Sequence, residues 1–242
     1  MRIKVNLNEI NEDPENYGRT IEIPILICLL RKANDAYYNS DKPILKDNIY
    51  DILKDILEER KPDSSIIKQV GSEILDNDKE ELPYHMGSMN KFKNPNSIKL
   101  WMKEYFGVND NVVISDKLDG VSGLLVINNN KMTLFSRGDS KFGRNISPLI
   151  KHINLPKVDG NFVIRGEIII SKNNFIKYSK EYSEARSLVN GICRTAGLTN
   201  HKNINVDRCK DVDFVAYEII EPKLTPLMQF KVLKKLGFKI GR

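Results

Sequence analysis

The first quarter of the chain has apolar residues at helical spacing. Between residues 22 and 39 they recur at intervals of three and four positions, which predicts a helix. A second apolar stripe predicts another helix after Asp47, which we expect to be its N-cap, and this helix should end near Lys61. The polar residues 63–82 predict a linker behind this small helical unit.

Beyond residue 82 the pattern changes to short runs of β-branched and aromatic residues, which predict strands. The predicted strands cover residues 112–115, 124–127, 132–136, 162–170 and 214–219. Residues 128–131, Asn-Asn-Asn-Lys, predict a hairpin turn between the second and third strands. Helices are predicted after Ser97, after Ser171 and from Thr225 to Gly237. We therefore expect an α+β fold, with a small helical N-terminal module followed by a domain of mostly antiparallel sheets with flanking helices.

Length and composition favour two globular domains. At 242 residues the chain exceeds the size of most single domains, and we place the domains at residues 1–68 and 69–242. Hydrophobic residues make up 40% and charged residues 29% of the chain, and no apolar run reaches the roughly 20 residues of a membrane span. The N-terminus looks like neither a signal nor a transit peptide. We expect an intracellular protein that is not secreted.

Charge and cysteine content narrow the expected partners. The chain has 38 Lys and Arg against 32 Asp and Glu, a formal charge of +6, which favours a polyanionic partner. Cys28, Cys193 and Cys209 lie far apart in the sequence and form no CxxC pair. We therefore expect neither a disulfide framework nor a structural metal site.

Residues 117–120, Lys-Leu-Asp-Gly, are the candidate for covalent chemistry. Lys117 follows the predicted strand 112–115 and would face a cleft at its end. A lysine attacks a phosphorus atom only as the neutral amine, a form that desolvation or nearby cations favour. Gly120 would allow a close backbone approach to a nucleotide, and Asp119 would orient the amine or face a ribose. On its own, a motif of four residues is more often a surface turn.

Three further motifs follow in chain order and supply groups that a nucleotide site needs. They are Ser-Arg-Gly-Asp at 136–139, Arg-Gly-Glu at 165–167 and Phe-Val-Ala-Tyr at 214–217. Arg137 and Glu167 could hold phosphate and ribose hydroxyls, and Tyr217 could stack on adenine. The alternatives are a surface ion pair for the charged residues and core packing for Phe214 and Tyr217.

Together, the four motifs resemble the covalent nucleotidyltransferase superfamily, in which such a lysine forms a phosphoramide bond to AMP or GMP. The N-terminal unit is similar to that of one branch, the NAD-dependent DNA ligases. The similar residues are Ala-Tyr-Tyr-Asn at 36–39, Asp-Lys-Pro at 41–43, Asp-Asn-Ile-Tyr-Asp at 47–51, Pro62 and Val-Gly at 70–71. In that family this module binds the nicotinamide mononucleotide half of NAD.

The resemblance implies site residues along most of the chain. Those expected on the nicotinamide side are Tyr37, Tyr38, Asp47, Tyr50 and Asp51. Those expected on the adenine side are Asp116 and, within residues 85–91, Ser88 and Met89. Arg186 and Arg194 are expected to contact phosphate, on the cofactor or on nicked DNA. Without the lysine motif, residues 47–51 would more simply be an exposed acidic helix face with a buried tyrosine.

The sequence departs from the family pattern at three places. Tyr38 stands where the family usually has a histidine, and it keeps an aromatic surface but loses a titratable donor. Ser115, followed by Asp116, stands where the family has a glutamate directed to adenine. The sequence ends at Arg242, where the family continues to further lysine motifs and DNA-binding domains, so we expect the nucleotidyltransferase domain to lack its C-terminal part.

The resemblance implies an enzyme that transfers AMP from NAD to Lys117 and then to a DNA 5′-phosphate at a nick, assisted by Mg²⁺. Its expected partners are NAD and nicked double-stranded DNA, its expected state is a monomer, and its expected setting is DNA repair and replication in the cytoplasm, nucleoid or a viral replication site. The alternatives are a truncated dinucleotide-binding protein and an ATP- or GTP-dependent RNA ligase or capping-type enzyme. Residues 1–242 alone are expected to seal nicks poorly.

Overall fold

The computed structural model of the protein describes residues 6–39, 43–68, 79–92, 94–107, 112–197 and 204–241. Several features that the sequence singles out lie outside these residues. They are the side chain of Tyr38, residues 41 and 42, residues 70 and 71, and the domain boundary expected after residue 68.

The N-terminal helical unit contains α1 (Leu7–Glu12), α2 (Pro14–Thr20), α3 (Ile23–Asn39), α4 (Asp47–Arg60) and α5 (Ser65–Lys68). The two long helices confirm the apolar periodicity, because Leu26 and Leu30 of α3 pack against Leu53 and Leu57 of α4 in one buried cluster. The unit therefore has a hydrophobic core of its own.

The expected capping role of Asp47 is wrong. Asp47 is the first residue of α4, and the N-cap position is held by Lys46, whose side chain makes no capping hydrogen bond. The Asp47 carboxylate instead accepts a hydrogen bond of 3.0 Å from the Tyr37 hydroxyl. The Asp47 side chain therefore makes a tertiary contact with Tyr37 in place of a capping hydrogen bond.

The rest of the described chain is built on a five-stranded sheet. The strands are β1 (Lys79–Glu81), β2 (Val121–Asn128), β3 (Lys131–Ser136), β4 (Phe142–Arg144), β5 (Phe162–Ile170), β6 (Val212–Glu221) and β7 (Lys239–Ile240). The large sheet has the order β3-β2-β5-β6-β7, and β1 pairs with β4 separately. Its pairs are antiparallel apart from β6–β7, which is parallel. This mixture of helices and mostly antiparallel sheet confirms the α+β class.

Helices cover one face of the large sheet. They include α7 (Lys172–Phe175), α8 (Ala185–Ala196), α9 (Val206–Cys209) and α10 (Pro226–Lys235), and short 3₁₀ turns lie at Ser147–Lys151 and Ile176–Tyr178. Helix α6 (Pro95–Tyr105) has no buried residue and adds none to the core beneath the sheet. The main core holds Ile164 and Ile168 of β5, Leu188 of α8 and Leu233 of α10. Successive residues of a strand point to opposite faces, so Arg165 and Glu167 of β5 lie on the other face.

Two predicted local structures are confirmed and one is shifted. Asn129 and Asn130 have φ angles of 48° and 66°, which is the left-handed geometry of a two-residue hairpin turn between β2 and β3. Ser171 caps α7 by accepting a hydrogen bond from the amide of Asn174 at 3.2 Å. Helix α6, however, begins before Ser97, because the Asn94 side chain caps it and accepts from the Ser97 amide at 2.8 Å.

The predicted strand at residues 112–115 is wrong. No strand is assigned between residue 112 and Gly120, and Ile114 is 86% exposed. Branched side chains favour an extended backbone, but they form a strand only where a neighbouring backbone accepts their hydrogen bonds. The lysine motif therefore follows an extended segment and enters the sheet at Val121, the first residue of β2.

Gly120 is needed for the contact of this segment with β5. A Cβ atom on Gly120 would collide with the carbonyl oxygen of Ile168 and with the Ile169 side chain. The close approach of Gly120 to the sheet is a structural reason for this glycine, and its approach to a nucleotide stays a prediction.

We expect Gly120→Ala to destabilise the fold by about 1–3 kcal/mol, the usual cost of forcing an extra carbon into a closely packed position. Thermal unfolding measures this as a lower Tm. Gly241→Ala is the matched control, because a Cβ there would lie at ordinary contact distance, 3.5 Å from the Asp116 carbonyl oxygen of the same segment. Equal Tm values for the two variants would show that the contact with β5 is not restrictive.

Candidate active site

The lysine motif lies at the entrance to β2, with its two polar side chains accessible. Lys117 and Asp119 are both exposed. The Asp119 carboxylate forms an ion pair of 3.2 Å with the guanidinium of Arg186, near the start of α8. Asp119 is therefore held from the side of α8, and Lys117 remains open to a reactant.

Glu167 is the buried carboxylate of the site, with 7% of its surface exposed. It is paired with Ser122 across β5 and β2, and the Ser122 hydroxyl donates to its carboxylate at 3.1 Å. Burial raises the pKa of Glu167, and the charges of Arg186, Arg137 and Lys117, with the Ser122 hydrogen bond, oppose that shift. Three positive groups from three different motifs thus act on one carboxylate.

Tyr217 joins this group through a β-bulge. Gly166 pairs with Ala216 and Arg165 pairs with Glu218, so Tyr217 is the extra residue of β6. A bulge re-aims the side chain that it carries. Burial, together with the nearby charge of Glu167, raises the pKa of Tyr217 to about 12, so its phenol stays neutral at physiological pH.

The Phe214 ring belongs to the core and not to the site. It is fully buried in the main core. A Cβ atom on Gly166 would lie 2.5 Å from the Phe214 ring, so the glycine of the Arg-Gly-Glu motif makes room for it. The core-packing alternative is thus the one the structure supports for Phe214, whereas Tyr217 is only partly buried and faces the charged groups.

The helical unit meets the site at the end of α3. The Tyr37 ring lies under the Arg186 guanidinium, with 4.2 Å from the guanidinium carbon to the ring centroid. The Tyr37 carbonyl oxygen accepts a hydrogen bond of 3.1 Å from the Asn190 side chain, one turn further along α8. Tyr37, which is expected on the nicotinamide side and is hydrogen-bonded to Asp47, is therefore in contact with the same arginine that pairs with Asp119.

A further carboxylate lies between the two units. Glu184 directly precedes α8, and burial raises its pKa, with the charges of Asp47 and Asp119 adding to the shift and Arg186 opposing it. The junction of α3, α4 and α8 therefore places several carboxylates near the Arg186 guanidinium, and Lys46 is a further cation that acts on Glu184.

The remaining expected residues lie further from this junction. Asp51 is 3.6 Å from the Lys91 ammonium, and Tyr50 packs against the core of the helical unit. Asp116 is exposed, and so is Met89, at 72%. These positions remain predictions from the resemblance.

Two other expected residues, Ser88 and Arg194, have contrasting surroundings. Ser88 is exposed in the segment before α6, close behind Met86, which is buried. Arg194 lies in the last turn of α8 and is half-buried, two turns beyond Arg186 on the same helix. No contact in the described residues assigns either a ligand.

Sequence reasoning missed Ser122, Glu184 and Asn190. Helical spacing could have found Asn190, because it lies four residues after Arg186 and so on the same face of α8. Ser122 could not have been found this way, because its partnership with Glu167 depends on the register between β2 and β5.

The three cysteines lie in apolar surroundings or are partly exposed. All three are free, Cys193 and Cys209 are buried, and burial raises the pKa of Cys209 to about 11. Within the part of the chain that the structure describes, no three His, Cys, Asp or Glu side chains are grouped so that they could hold a metal ion. A search of the same residues for a helix able to cross a membrane finds none.

Because Glu167 is buried, its ionised carboxylate is expected to lower the stability of the fold. A carboxyl group whose pKa is raised in the folded state stabilises the fold below its unfolded pKa, and this contribution is lost as the pH rises through the folded pKa. Glu167→Gln should therefore raise Tm by about 2–4 °C at pH 8, a shift that corresponds to about 1 kcal/mol in a protein of this size. The gain should shrink as the pH falls towards 4.5, the ordinary pKa of a glutamate side chain.

Tm measured for both proteins between pH 4.5 and pH 8 tests this. A Gln variant that is less stable than the parent at pH 8 would mean that the surrounding cations outweigh the cost of burial. Ser64→Ala, which alters a buried polar residue that does not titrate, is the control for pH effects elsewhere.

Comparison with known proteins identifies the family. The sequence model of the NAD-dependent DNA ligase adenylation domain family matches residues 78–242. The chain is 41% identical over 217 residues to a DNA ligase of Acanthamoeba polyphaga mimivirus, covering 87% of this chain and 33% of that protein. It is 31% identical over 244 residues to a DNA ligase of Borreliella afzelii, covering 91% of this chain and 36% of that protein. It is also 31% identical over 208 residues to a DNA ligase of Helicobacter pylori strain J99, covering 78% of this chain and 32% of that protein. The chain spans about a third of the length of these relatives, and it belongs to the NAD-dependent DNA ligase adenylation domain family.

Proposed function

We propose that the chain takes AMP from NAD onto Lys117 and passes it to the 5′-phosphate of nicked DNA. The observation that carries this proposal is the set of cations and carboxylates around Glu167. Lys117, Arg137 and Arg186 act on that carboxylate together, although they come from separate motifs. Membership of the family, whose viral and bacterial relatives are named DNA ligases, supports the same activity.

In the first step the Lys117 Nζ attacks the α-phosphorus of NAD. A nitrogen–phosphorus bond forms, the phosphorus–oxygen bond to nicotinamide mononucleotide breaks, and the amine loses its proton. In the second step an oxygen of the DNA 5′-phosphate attacks the same phosphorus and Lys117 leaves, which gives adenylated DNA. The DNA 3′-hydroxyl then displaces AMP and closes the nick.

The residues around Lys117 have distinct tasks in these steps. The guanidinium groups of Arg137 and Arg186 would neutralise charge on the phosphates, and Glu167 would accept a hydrogen bond from a ribose hydroxyl. Tyr217, whose phenol remains neutral, would offer an aromatic surface to adenine. These tasks follow from charge and position, since Glu167 is near both arginines and Tyr217 is near Glu167.

Mg²⁺ fits the site as an ion held mainly by substrate phosphates. The described residues offer no ready cluster of three metal-binding side chains, but Mg²⁺ commonly uses one or two carboxylates plus phosphate oxygens. Asp119, two residues after Lys117, and Glu167, on which the Lys117 charge acts, are two carboxylates that could contribute. When bound, the ion would stabilise the negative charge that develops on the transferred phosphoryl group.

The helical unit is proposed to bind the nicotinamide half of NAD, and the sheet domain the AMP half. We place the two domains at residues 1–68 and 69–242, because the two units have separate core clusters. Arg186, Arg194 and the charge of +6 would contribute contacts to the DNA phosphates. We further propose that the protein acts as an intracellular monomer.

Incubation with adenine-labelled NAD and Mg²⁺ tests the proposal. The expected result is a protein adduct of one AMP, with free nicotinamide mononucleotide released in equal amount. Labelled ATP is the parallel experiment. An adduct from ATP but not from NAD would assign the chain to a different nucleotide donor, and no adduct from either would refute nucleotidyl transfer by this chain.

A further inference from the structure

One face of the Tyr37 ring is covered by a cation from the other unit. The Arg186 guanidinium lies 4.2 Å from the ring centroid, a distance at which a planar cation and an aromatic face attract each other. The Arg186 side chain is only 17% exposed. This aromatic surface is therefore occupied by a residue of the protein itself.

The surroundings of this guanidinium are acidic. Asp119 is in direct contact with the Arg186 guanidinium at 3.2 Å. The positive charge of Arg186 also acts on Glu167 and Glu184. If the guanidinium left the ring but stayed beside Asp119, two other carboxylates would leave negative charge beside Tyr37. They are those of Asp47, which accepts from the Tyr37 hydroxyl, and of the nearby Glu184, and Lys46 offsets their charge only in part. A second planar cation is the kind of group that this negative charge and this aromatic surface would attract.

The two units would remain in contact after such a movement. The hydrogen bond from the Asn190 side chain to the Tyr37 carbonyl joins α8 to α3 without using Arg186. The ion pair between Lys91 and Asp51 is a second link between the helical unit and the rest of the chain. The arginine side chain can therefore leave the ring while Tyr37 keeps its place.

We propose that Arg186 is a placeholder for the oxidised nicotinamide ring, occupying the Tyr37 surface until the dinucleotide binds and then exchanging with it, cation for cation. The inference rests on the proposed function, in which the helical unit binds the nicotinamide half of NAD. After the exchange, the displaced guanidinium stays beside Asp119 and Glu167, where the phosphates of the dinucleotide would lie. Binding of the ring would thus deliver Arg186 to the reacting phosphates.

The proposal predicts that removal of a binding-site arginine tightens binding of the cationic ring. Nicotinamide riboside is the probe, because it carries the cationic ring and a ribose but no phosphate for Arg186 to contact. In the full chain, Arg186→Gln should bind it about three- to tenfold more tightly than the parent, the range expected when one partly exposed cation–π contact no longer competes. Isothermal titration calorimetry measures the Kd.

Three comparisons make the result specific. Arg186→Lys keeps the charge but not the planar stack, so its Kd should lie between that of the parent and that of Arg186→Gln. Reduced nicotinamide riboside, whose ring is uncharged, should show no gain in the Gln variant. Arg208→Gln is the matched control, because Arg208 also lies over a tyrosine ring, 5.5 Å from the Tyr182 centroid, and pairs with Glu181 on a different surface. Its affinity for the riboside should equal that of the parent.

Several outcomes would overturn the placeholder. Weaker binding in Arg186→Gln would make Arg186 a direct ligand of the riboside, and unchanged or undetectable binding in both proteins would show that no exchange takes place. An equal gain for the reduced riboside would indicate a steric effect and not an exchange of cations. Thermal unfolding of each variant establishes that it is folded, and Arg186→Lys carries the test if the Gln variant is not.

The labelled-NAD experiment separates this failure from failure of the proposed function. If the parent forms the Lys117 adduct but the Gln variant binds the riboside no more tightly, the placeholder is wrong and nucleotidyl transfer stands. If the parent forms no adduct from NAD, the proposed function is wrong, and the placeholder loses the ligand on which it rests.

Discussion

Lys117→Ala is expected to abolish the covalent AMP adduct. The amine is the group that forms the nitrogen–phosphorus bond, and alanine offers no atom that could replace it. Removal of a nucleophile commonly lowers a rate by more than about a thousandfold, so the adduct should fall below detection. The measurement is intact-protein mass spectrometry after incubation with NAD and Mg²⁺, in which the parent gains the mass of one AMP.

The fold should survive this substitution. Lys117 is exposed and lies outside the strands, so its loss removes no buried contact of the core. Tm should therefore change by no more than about 1–2 °C. Lys131→Ala, at the exposed start of β3, is the control for loss of a lysine elsewhere, and its adduct should form as in the parent. An AMP adduct that persists in Lys117→Ala would place the nucleophile at another residue.

Local signals in the sequence were sufficient for much of the fold. The apolar periodicity of α3 and α4, the asparagine turn between β2 and β3, and the Ser171 cap of α7 each depend on residues within one helical turn or one hairpin. Such features are determined by side-chain spacing and turn chemistry, which the chain carries locally.

Features that depend on distant partners were not predictable. Residues 112–115 have the composition of a strand, yet nothing in them indicates whether a neighbouring backbone is available to pair with them. The bulge at Tyr217 arises from the register between β5 and β6. The sequence predicts that Asp47 caps its own helix, but its carboxylate instead accepts a hydrogen bond from the Tyr37 hydroxyl.

The motifs predicted the charged groups of the site but not how they are connected. Lys117, Arg137 and Glu167 were named from three separate stretches, and Glu167 lies close to both cations. The stack of Arg186 on Tyr37 joins residues about 150 positions apart, as does the nearby hydrogen bond from Asn190. No spacing rule reaches that far, and this contact is where the helical unit meets the lysine motif.

The second large effect is expected from removal of the helical unit. Deletion of residues 1–68 should lower adduct formation from NAD by at least about thirtyfold. The deletion removes Asp47 and Tyr37, and loss of a charged hydrogen-bond partner and of an aromatic surface for a cation costs together about 2–5 kcal/mol. The buried cluster of the helical unit lies within residues 10–66, so the deletion takes out one complete core and leaves the main core uncut.

Two measurements distinguish loss of the nicotinamide site from general damage. AMP binding by calorimetry should remain within about threefold of the parent, because Arg137, Glu167 and Tyr217 all lie in the retained domain. Asp47→Ala in the full chain should reproduce a smaller loss with NAD, about tenfold. Glu59→Ala is its control, since Glu59 lies near the other end of α4 in an exposed pair with Arg19, and it should react as the parent does. If the shortened protein were still adenylated from NAD at the parental rate, the nicotinamide half would have to be recognised by the sheet domain, and the assignment of Tyr37 and Asp47 would be wrong.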